Sequence, residues 1–133
     1  MFDFSSITLG DSRYNFHSHT QFCDGRATMA EFADAASEAG FRHWGFSPHS
    51  PVPIDSPCNM AEADVPVYLA EVNRLNSLYE SSGIRFYASM EIDYLGPHWG
   101  PAIDYFRQLP LDYRIGSVHF IPARDPGLPV DID

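Results

Sequence analysis

The chain has 133 residues, 44% of them hydrophobic and 20% charged, a composition expected of one globular domain with a modest core. Its formal net charge of −10 argues against nucleic acid or an anionic membrane surface as a partner, because both are themselves negatively charged. The sequence has no apolar run of transmembrane length, no secretory signal pattern and only two cysteines, so a cytoplasmic protein without a disulfide framework is expected.

The first part of the chain alternates strands with a helix. Residues 1–10 have little pattern and are interpreted as a lead-in, and a short strand is expected around Arg13–Phe16. A helix is predicted over Thr28–Ala39, because a Thr-x-x-Glu capping box opens an apolar stripe at helical spacing and Gly40 follows as a stop. A second strand is predicted over Phe41–Phe46.

The second part continues the alternation after a loop. Residues 50–63 are rich in proline, and a loop of this length in a compact domain is often functional. The later predicted elements are a helix over Val65–Tyr79 with Asp64 at its N-cap, a strand over Ile84–Met90, a helix over Ala102–Gln108, a strand over Tyr113–Val118 and a terminal loop over Pro122–Asp133.

This βαβαβαβ order predicts an α/β fold in which parallel strands are joined by right-handed helical crossovers. In such folds the loops after the strands gather at one edge of the sheet, where active sites form. Polar side chains of metal-ligand type lie at or just beyond the ends of four successive predicted strands: His17, His19, His49, Glu91 and His119. A site at this edge is therefore expected.

The His-x-His pair is the clearest part of this pattern. In an extended backbone His17 and His19 lie on the same side, so both imidazoles can converge on one metal ion. The alternative is a pair of surface histidines at a strand end. His49 lies in a Ser-Pro-His-Ser-Pro run whose rigid turns fix its direction, which suits a ligand, although a structural histidine is the alternative.

Three further candidates have clear alternatives. Glu91 follows an apolar strand, where a carboxylate is costly unless it is paired or bound to metal, and its two oxygens could bridge two cations. The alternative is a salt-bridged or solvated glutamate. His119, taken alone, would be a hydrogen-bonded core histidine. Asp24 is either a ligand or a turn residue in Cys-Asp-Gly.

Other polar residues are less favoured as ligands. Cys23 could bind zinc but is more readily a small buried filler. Asp93 is expected either to face solvent or to support a ligand from behind. His43 and His98 are not expected to bind metal. Arg26 and Arg124 could meet a phosphate or simply lie on the surface, and their spacing does not distinguish these alternatives.

With these residues assembled, the chain resembles the PHP (polymerase and histidinol phosphatase) family of metal-dependent hydrolases, and within it the histidinol-phosphatase branch. The stretches that carry the resemblance occur in the family's order: Phe16–Thr20 with Phe22–Gly25, Ser47–Pro51, Met90–Tyr94 and Gly116–Phe120. In many members an aspartate stands where this chain has Pro48, and a histidine stands where it has Gly25.

The resemblance implies a distorted (β/α)7 barrel, of which these roughly four βα units would be the N-terminal part. Residues 1–133 would then be a single PHP domain, truncated at its C-terminus. It also implies a site for up to three divalent ions of Zn, Mn or Fe. The implied ligands are His17, His19 and Glu91 for the first ion, Glu91 and His119 for the second, and His49 with Asp24 for the third.

The activity implied by the resemblance is hydrolysis of a small phosphorylated substrate, L-histidinol phosphate, to L-histidinol and phosphate in histidine biosynthesis. Glu91, His49 and Asp24 would then be the catalytic residues. Two alternatives stay open: another phosphoesterase of the family that acts on nucleotides or nucleic acid, and a catalytically incomplete fragment that binds metal or a partner. A second copy of the chain could cover the open edge of a partial barrel.

Overall fold

The computed structural model describes residues 3–10 and 13–121, together with the backbone of residues 122 and 129–131. The helices and strands, in chain order, are α1 (Phe4–Gly10), β1 (Tyr14–Asn15), α2 (Met29–Glu38), β2 (His43–Phe46), α3 (Val65–Leu78), β3 (Arg85–Ala88), β4 (Glu91–Asp93), α4 (Asp104–Arg107), β5 (Ile115–Ser117), β6 (Phe120–Pro122) and β7 (Pro129–Asp131). Short 3-10 turns precede and follow α3, at Glu62–Asp64 and Glu80–Ser82.

The strands that carry the site run parallel, as predicted. One sheet has the order β1-β2-β3 and a second pairs β4 with β5, both in parallel. Backbone hydrogen bonds connect the two sheets, since the Glu91 amide donates to the Pro48 carbonyl and the Ser50 amide donates to the Glu91 carbonyl, each at 2.9 Å. The residues that follow β2 and the first residue of β4 are thereby fixed side by side.

The predicted strand over Ile84–Met90 is only partly correct. Residues 85–88 form β3 against β2, and the chain then continues as β4, which pairs with β5. The hydrogen-bonding partner changes near Ser89, whose amide still donates to the Phe46 carbonyl at 2.9 Å. Two short strands with different neighbours therefore replace one long strand.

The two main helices begin and end close to the predicted residues. The capping box at the start of α2 is present: the Thr28 hydroxyl accepts from the Glu31 amide at 3.1 Å, and the Glu31 carboxylate accepts from the Thr28 amide at 2.7 Å. Gly40, with φ of +80°, follows the helix. Asp64 precedes α3 as predicted, but its side chain forms no capping hydrogen bond.

The core lies between the sheet and helices α2 and α3. Trp44 and Phe86, which are paired in register, face the helices, where they contact Phe32 and Tyr79 at ring distances of 5.8 and 5.6 Å. The buried residues that pack together in this core are Met29, Ala33, Ala36, Phe46, Met60, Val65, Tyr68, Val72, Leu75, Ile84, Phe86, Ala88, Met90, Ile92 and Phe106.

Two predicted irregular segments contain regular structure. The lead-in includes helix α1, whose Phe4 ring lies 5.0 Å from Phe16 and 5.4 Å from Tyr113. The expected terminal loop overlaps an antiparallel pairing of β6 with β7, and residues 123–128 and 132–133 of that predicted loop lie outside the described residues. The packing of α1 includes a contact with the distant Tyr113, which local patterns do not reveal.

The remaining predicted elements are present but shorter, with α4 reduced to four residues and β5 to three. None of the helices in the described part of the chain is both long and apolar enough to cross a membrane.

Candidate metal centre

Four imidazoles surround the carboxylate of Glu91, which is only 8% exposed. Its Oε2 lies 3.1 Å from His19 Nε2, 3.5 Å from His49 Nδ1 and 3.8 Å from His17 Nε2. Its other oxygen, Oε1, lies 3.2 Å from His119 Nε2. These residues come from four separate segments of the chain, so the expected convergence at one edge of the sheet is observed.

The parallel sheet explains this convergence. His17 and His19 follow β1, and the chain there stays beside β2 because the Ser47 amide donates to the Ser18 carbonyl at 2.8 Å. His49 follows β2 and forms a parallel bridge with Glu91 at the start of β4. His119 follows β5, which is the other neighbour of β4. Each of the four histidines therefore lies just beyond the C-terminal end of a strand, and Glu91 lies beside them as the first residue of β4.

Asp24 is both a turn residue and a neighbour of two histidines. The turn is closed by the Cys23 and Gly25 amides, which donate to the Thr20 carbonyl at 3.1 and 3.0 Å. It brings Asp24 to 2.7 Å from His19 Nδ1 and 3.4 Å from His49 Nε2.

The electrostatic surroundings of Asp24 favour its ionised form. Partial burial opposes ionisation, but the hydrogen bond with His19 and the charges of His49 and His19 outweigh it, so the pKa of Asp24 lies below its ordinary value. An ionised carboxylate between two imidazoles offers an acceptor to a proton or to a cation.

Partners behind the histidines orient two of the rings. His17 Nδ1 lies 2.7 Å from the Ser47 hydroxyl oxygen, which also accepts from the Ser18 amide at 3.1 Å, and His17 directs Nε2 at Glu91. His119 Nδ1 lies 2.5 Å from Asp93 Oδ1. Such contacts are typical of histidines that bind metal through the opposite nitrogen. Ser47 was not recognised from the sequence, where its only signal is its place two residues before His49.

The structure agrees with one of the two environments predicted for Asp93 and not with the other. It is fully buried, so the expectation that it faces solvent is wrong, whereas a supporting position behind His119 agrees with the structure. The signal in the sequence was its spacing, because residues two apart in β4 lie on one face and Glu91 already points at the site.

The less favoured candidates lie outside the centre. His43 Nδ1 contacts the Tyr87 hydroxyl at 2.7 Å, and His98 is exposed in the loop after β4. Cys23 donates to the Thr20 carbonyl at 3.4 Å, and burial raises the pKa of its thiol, which disfavours the thiolate that binds metal. Arg26 is exposed. Arg124 lies outside the described residues.

The donor set fits divalent transition-metal ions. Among the described residues, three groups could each bring three ligand atoms within 4.8 Å of one another: His17, His19 and Glu91; His19, Asp24 and His49; and His49, Asp93 and His119. Imidazole with carboxylate is a donor set that suits Zn, Mn and Fe alike. Bound cations would also balance the three carboxylates that meet here in a chain of net charge −10.

Comparison with known protein sequences identifies relatives that are named histidinol-phosphatases. A Deinococcus radiodurans protein assigned as a histidinol-phosphatase is 30% identical over 115 residues, which cover 80% of this chain and 42% of that protein. The histidinol-phosphatase of Bacillus subtilis is 29% identical over 136 residues, which cover 88% of this chain and 47% of that protein. The chain thus spans less than half the length of these curated relatives.

Solved structures show the same fold. A Listeria monocytogenes protein assigned as a histidinol phosphatase matches with a TM-score of 0.71 at 21% identity, over 86% of this chain and 47% of that chain. The histidinol phosphate phosphatase of Lactococcus lactis, in complex with Zn, L-histidinol and phosphate, matches with a TM-score of 0.62 at 25% identity, over 82% of this chain and 40% of that chain.

The family itself is identified by a match that covers most of the sequence. The model of the PHP domain family aligns with residues 15–129, a range that contains all of the candidate ligands. The chain therefore belongs to the PHP domain family.

Proposed function

We propose that this chain carries the metal-binding part of a phosphomonoesterase that hydrolyses L-histidinol phosphate to L-histidinol and phosphate. The observation that carries the proposal is the convergence of four imidazoles on the two oxygens of the buried Glu91 carboxylate. The names of the relatives and the Lactococcus lactis complex with Zn, L-histidinol and phosphate support this choice of substrate. Residues 1–133 form one domain in this proposal.

The ligand sets follow from the distances around Glu91. His17, His19 and one oxygen of Glu91 would hold a first divalent ion, and the other oxygen of Glu91 with His119 would contribute to a second. His49 and Asp24 would contribute to a third, because His49 Nε2 faces Asp24 while its Nδ1 faces Glu91. Zn, Mn and Fe all match this donor set.

Bound divalent ions would supply Lewis acidity toward the phosphate oxygens and a water of lowered pKa. The residues of the chain supply position and charge. Glu91 would contribute to two ion sites, since its two oxygens face different histidines. Asp24 and His49 lie together at one side of the centre, where they would help to neutralise the developing negative charge of the leaving alkoxide.

A metal-binding module without activity of its own is the alternative from a different class. The observation that favours it is that the chain spans less than half the length of its curated relatives. A family member that acts on nucleotides or nucleic acid is less favoured, because the acidic net charge of −10 opposes long polyanions.

We include a second copy of the chain as a partner in this proposal, and the cytoplasm as its location. Among the described residues β1 is paired only with β2 and β5 only with β4, so each has an edge at which another strand could pair. The cytoplasm is proposed on the low cysteine content.

The test measures metal first and turnover second. Elemental analysis of the purified chain should find about two or three transition-metal ions per chain, and His19→Ala and Glu91→Ala should each lose at least one. His98→Ala is the matched control, because His98 is exposed and lies outside the candidate groups. Release of phosphate from L-histidinol phosphate by the metal-loaded chain, lost in both site variants, would then support the enzyme.

Two results separate the alternatives. Bound metal without turnover, while a longer relative is active under the same conditions, would favour the metal-binding module. A chain that takes up no metal at all would contradict both the enzyme and the metal-binding module.

A further inference from the structure

The loop 50–63, which follows His49, contacts residues that support the candidate metal centre. Asn59, in the proline-rich loop 50–63, donates from Nδ2 to the Ser50 carbonyl at 2.7 Å and to Asp93 Oδ2 at 3.0 Å. Its side-chain oxygen accepts from the Ser56 hydroxyl at 2.6 Å. The Met60 amide also donates to the His49 carbonyl at 3.1 Å. The loop is therefore held against the segment that follows β2 by hydrogen bonds from Asn59 and Met60.

Asp93 has both oxygens engaged as acceptors. Oδ1 lies 2.5 Å from His119 Nδ1 and Oδ2 accepts from Asn59, in a side chain that is fully buried. A buried carboxylate with such partners is a strong acceptor of charge-assisted hydrogen bonds. The Ser117 hydroxyl lies 3.4 Å from the same Nδ1, a longer and weaker contact.

We propose that Asp93 and Asn59 are positioning residues: Asn59 fixes Asp93, and Asp93 holds the proton of His119 on Nδ1, so that Nε2 is presented unprotonated to the metal centre. The 3.2 Å separation between His119 Nε2 and Glu91 Oε1 gives Nε2 the direction that this role requires. A carboxylate behind a ligand histidine fixes its tautomer and ring orientation and raises its basicity. This inference deepens the proposed function. Its statement about metal binding rests on that proposed function.

This assignment gives Asp93 a role other than that of a direct ligand. Asp93 belongs to a group with His49 and His119 whose ligand atoms could share an ion. However, each Asp93 oxygen already accepts a hydrogen bond, and binding an ion there would leave the Nδ1 proton of a partly buried imidazole without its acceptor. The two roles make different predictions for Asp93→Asn, whose amide oxygen can still accept from Nδ1.

The first measurement is the tautomer of His119 in the metal-free full chain, by nitrogen NMR of histidine-labelled protein over a pH series, in which the neutral ring is identified from its own signals. His119→Gln assigns the signals. We expect protonated Nδ1 in the wild-type chain and in Asp93→Asn, and a shift toward protonated Nε2 in Asp93→Ala. Ser117→Ala is the matched control and should keep the wild-type tautomer. An unchanged tautomer in Asp93→Ala would overturn the proposal.

The second measurement is the affinity of the same chains for Co²⁺, followed by its visible absorption. We expect Asp93→Ala to bind about 10- to 100-fold more weakly, with smaller losses in Asp93→Asn and Asn59→Ala and almost none in Ser117→Ala. Equal losses in Asp93→Asn and Asp93→Ala would make Asp93 a ligand and overturn the positioning role. Wild-type affinity in Asp93→Ala would overturn it as well.

The two measurements separate the inference from the proposed function. A wild-type chain that binds no Co²⁺ would contradict the proposed function, while the NMR tautomer would still decide the role of Asp93. Circular dichroism shows which variants fold. If Asp93→Ala does not fold, Asn59→Ala keeps the proposal open to refutation, because it leaves the carboxylate in place and should still weaken Co²⁺ binding.

Discussion

Gly25 controls the turn that brings Asp24 to His19 and His49. A side chain at this position would begin 2.6 Å from both the amide nitrogen and the carbonyl oxygen of Thr20, which are rigid backbone atoms. The Gly25 amide also closes the turn on Thr20. This close approach explains why a residue with a side chain does not fit the present turn.

At this residue scale we expect Gly25→Ala to lower the free energy of unfolding by about 1–3 kcal/mol, because the backbone of Thr20 must move to admit a methyl group. Metal affinity should fall with it, since Asp24 and His19 lie on the two sides of the turn. Urea unfolding and metal titration measure the two effects. Gly10→Ala is the control, because its added methyl group would meet no atom within 4 Å among the described residues beyond its own helix and chain neighbours.

These two measurements can contradict the proposed backbone constraint at Gly25. Equal stability and equal metal affinity in Gly25→Ala and the wild-type chain would mean that the turn adapts without cost, and the close contact would then have no influence on the site.

At the scale of elements, the start of α2 depends on an exposed charge. The backbone hydrogen bond from Thr28, followed by the contact with its side chain, lowers the pKa of Glu31. A carboxylate in the first turn is also favoured by the helix dipole. Because the pKa is lower in the folded chain, the ionised form of Glu31 stabilises the fold.

We expect this contribution to be present above the ordinary pKa of glutamate, near 4.5, and to be lost as the pH falls through the lower folded value. Glu31→Gln keeps a capping side chain but has no charge, so it should be less stable than wild type at neutral pH, and the difference should shrink in acid. Chemical unfolding over a pH series measures this. A pH-independent difference for Glu31→Gln would contradict the charge-based explanation.

At the scale of the whole molecule, two strand edges and several apolar side chains are open to contact in the described part of the chain. Tyr14 on β1 is 41% exposed, and Val118, which follows β5, is 50% exposed. Edges of this kind invite pairing with another chain, whereas a net charge of −10 makes two copies repel each other.

We therefore expect reversible self-association that increases with protein concentration and with salt, because salt screens the repulsion. Sedimentation velocity at several salt concentrations measures it. Tyr14→Lys should weaken association by placing a charge on the β1 edge, while Val67→Lys, on the exposed side of α3, should leave it unchanged. Monomers at every concentration and salt level would contradict a second copy as the partner.

The sequence by itself determined the parallel α/β architecture, the bounds of α2 and α3 to within about a residue, and the edge of the sheet where the ligand-type residues meet. These features follow from local patterns: a capping box and an apolar stripe define α2, and alternating strands and helices place His17, His49 and His119 beyond equivalent strand ends.

Only the tertiary structure decided the partners that orient these residues. His17 meets Ser47 across 30 positions of sequence, and His119 meets Asp93 across 26. Helix α1 likewise depends on the packing of Phe4 against Phe16 and Tyr113. Such contacts depend on the register and packing of distant segments, which no local pattern encodes, and for that reason the ligand-type residues were recognised from the sequence while most of their supports were not.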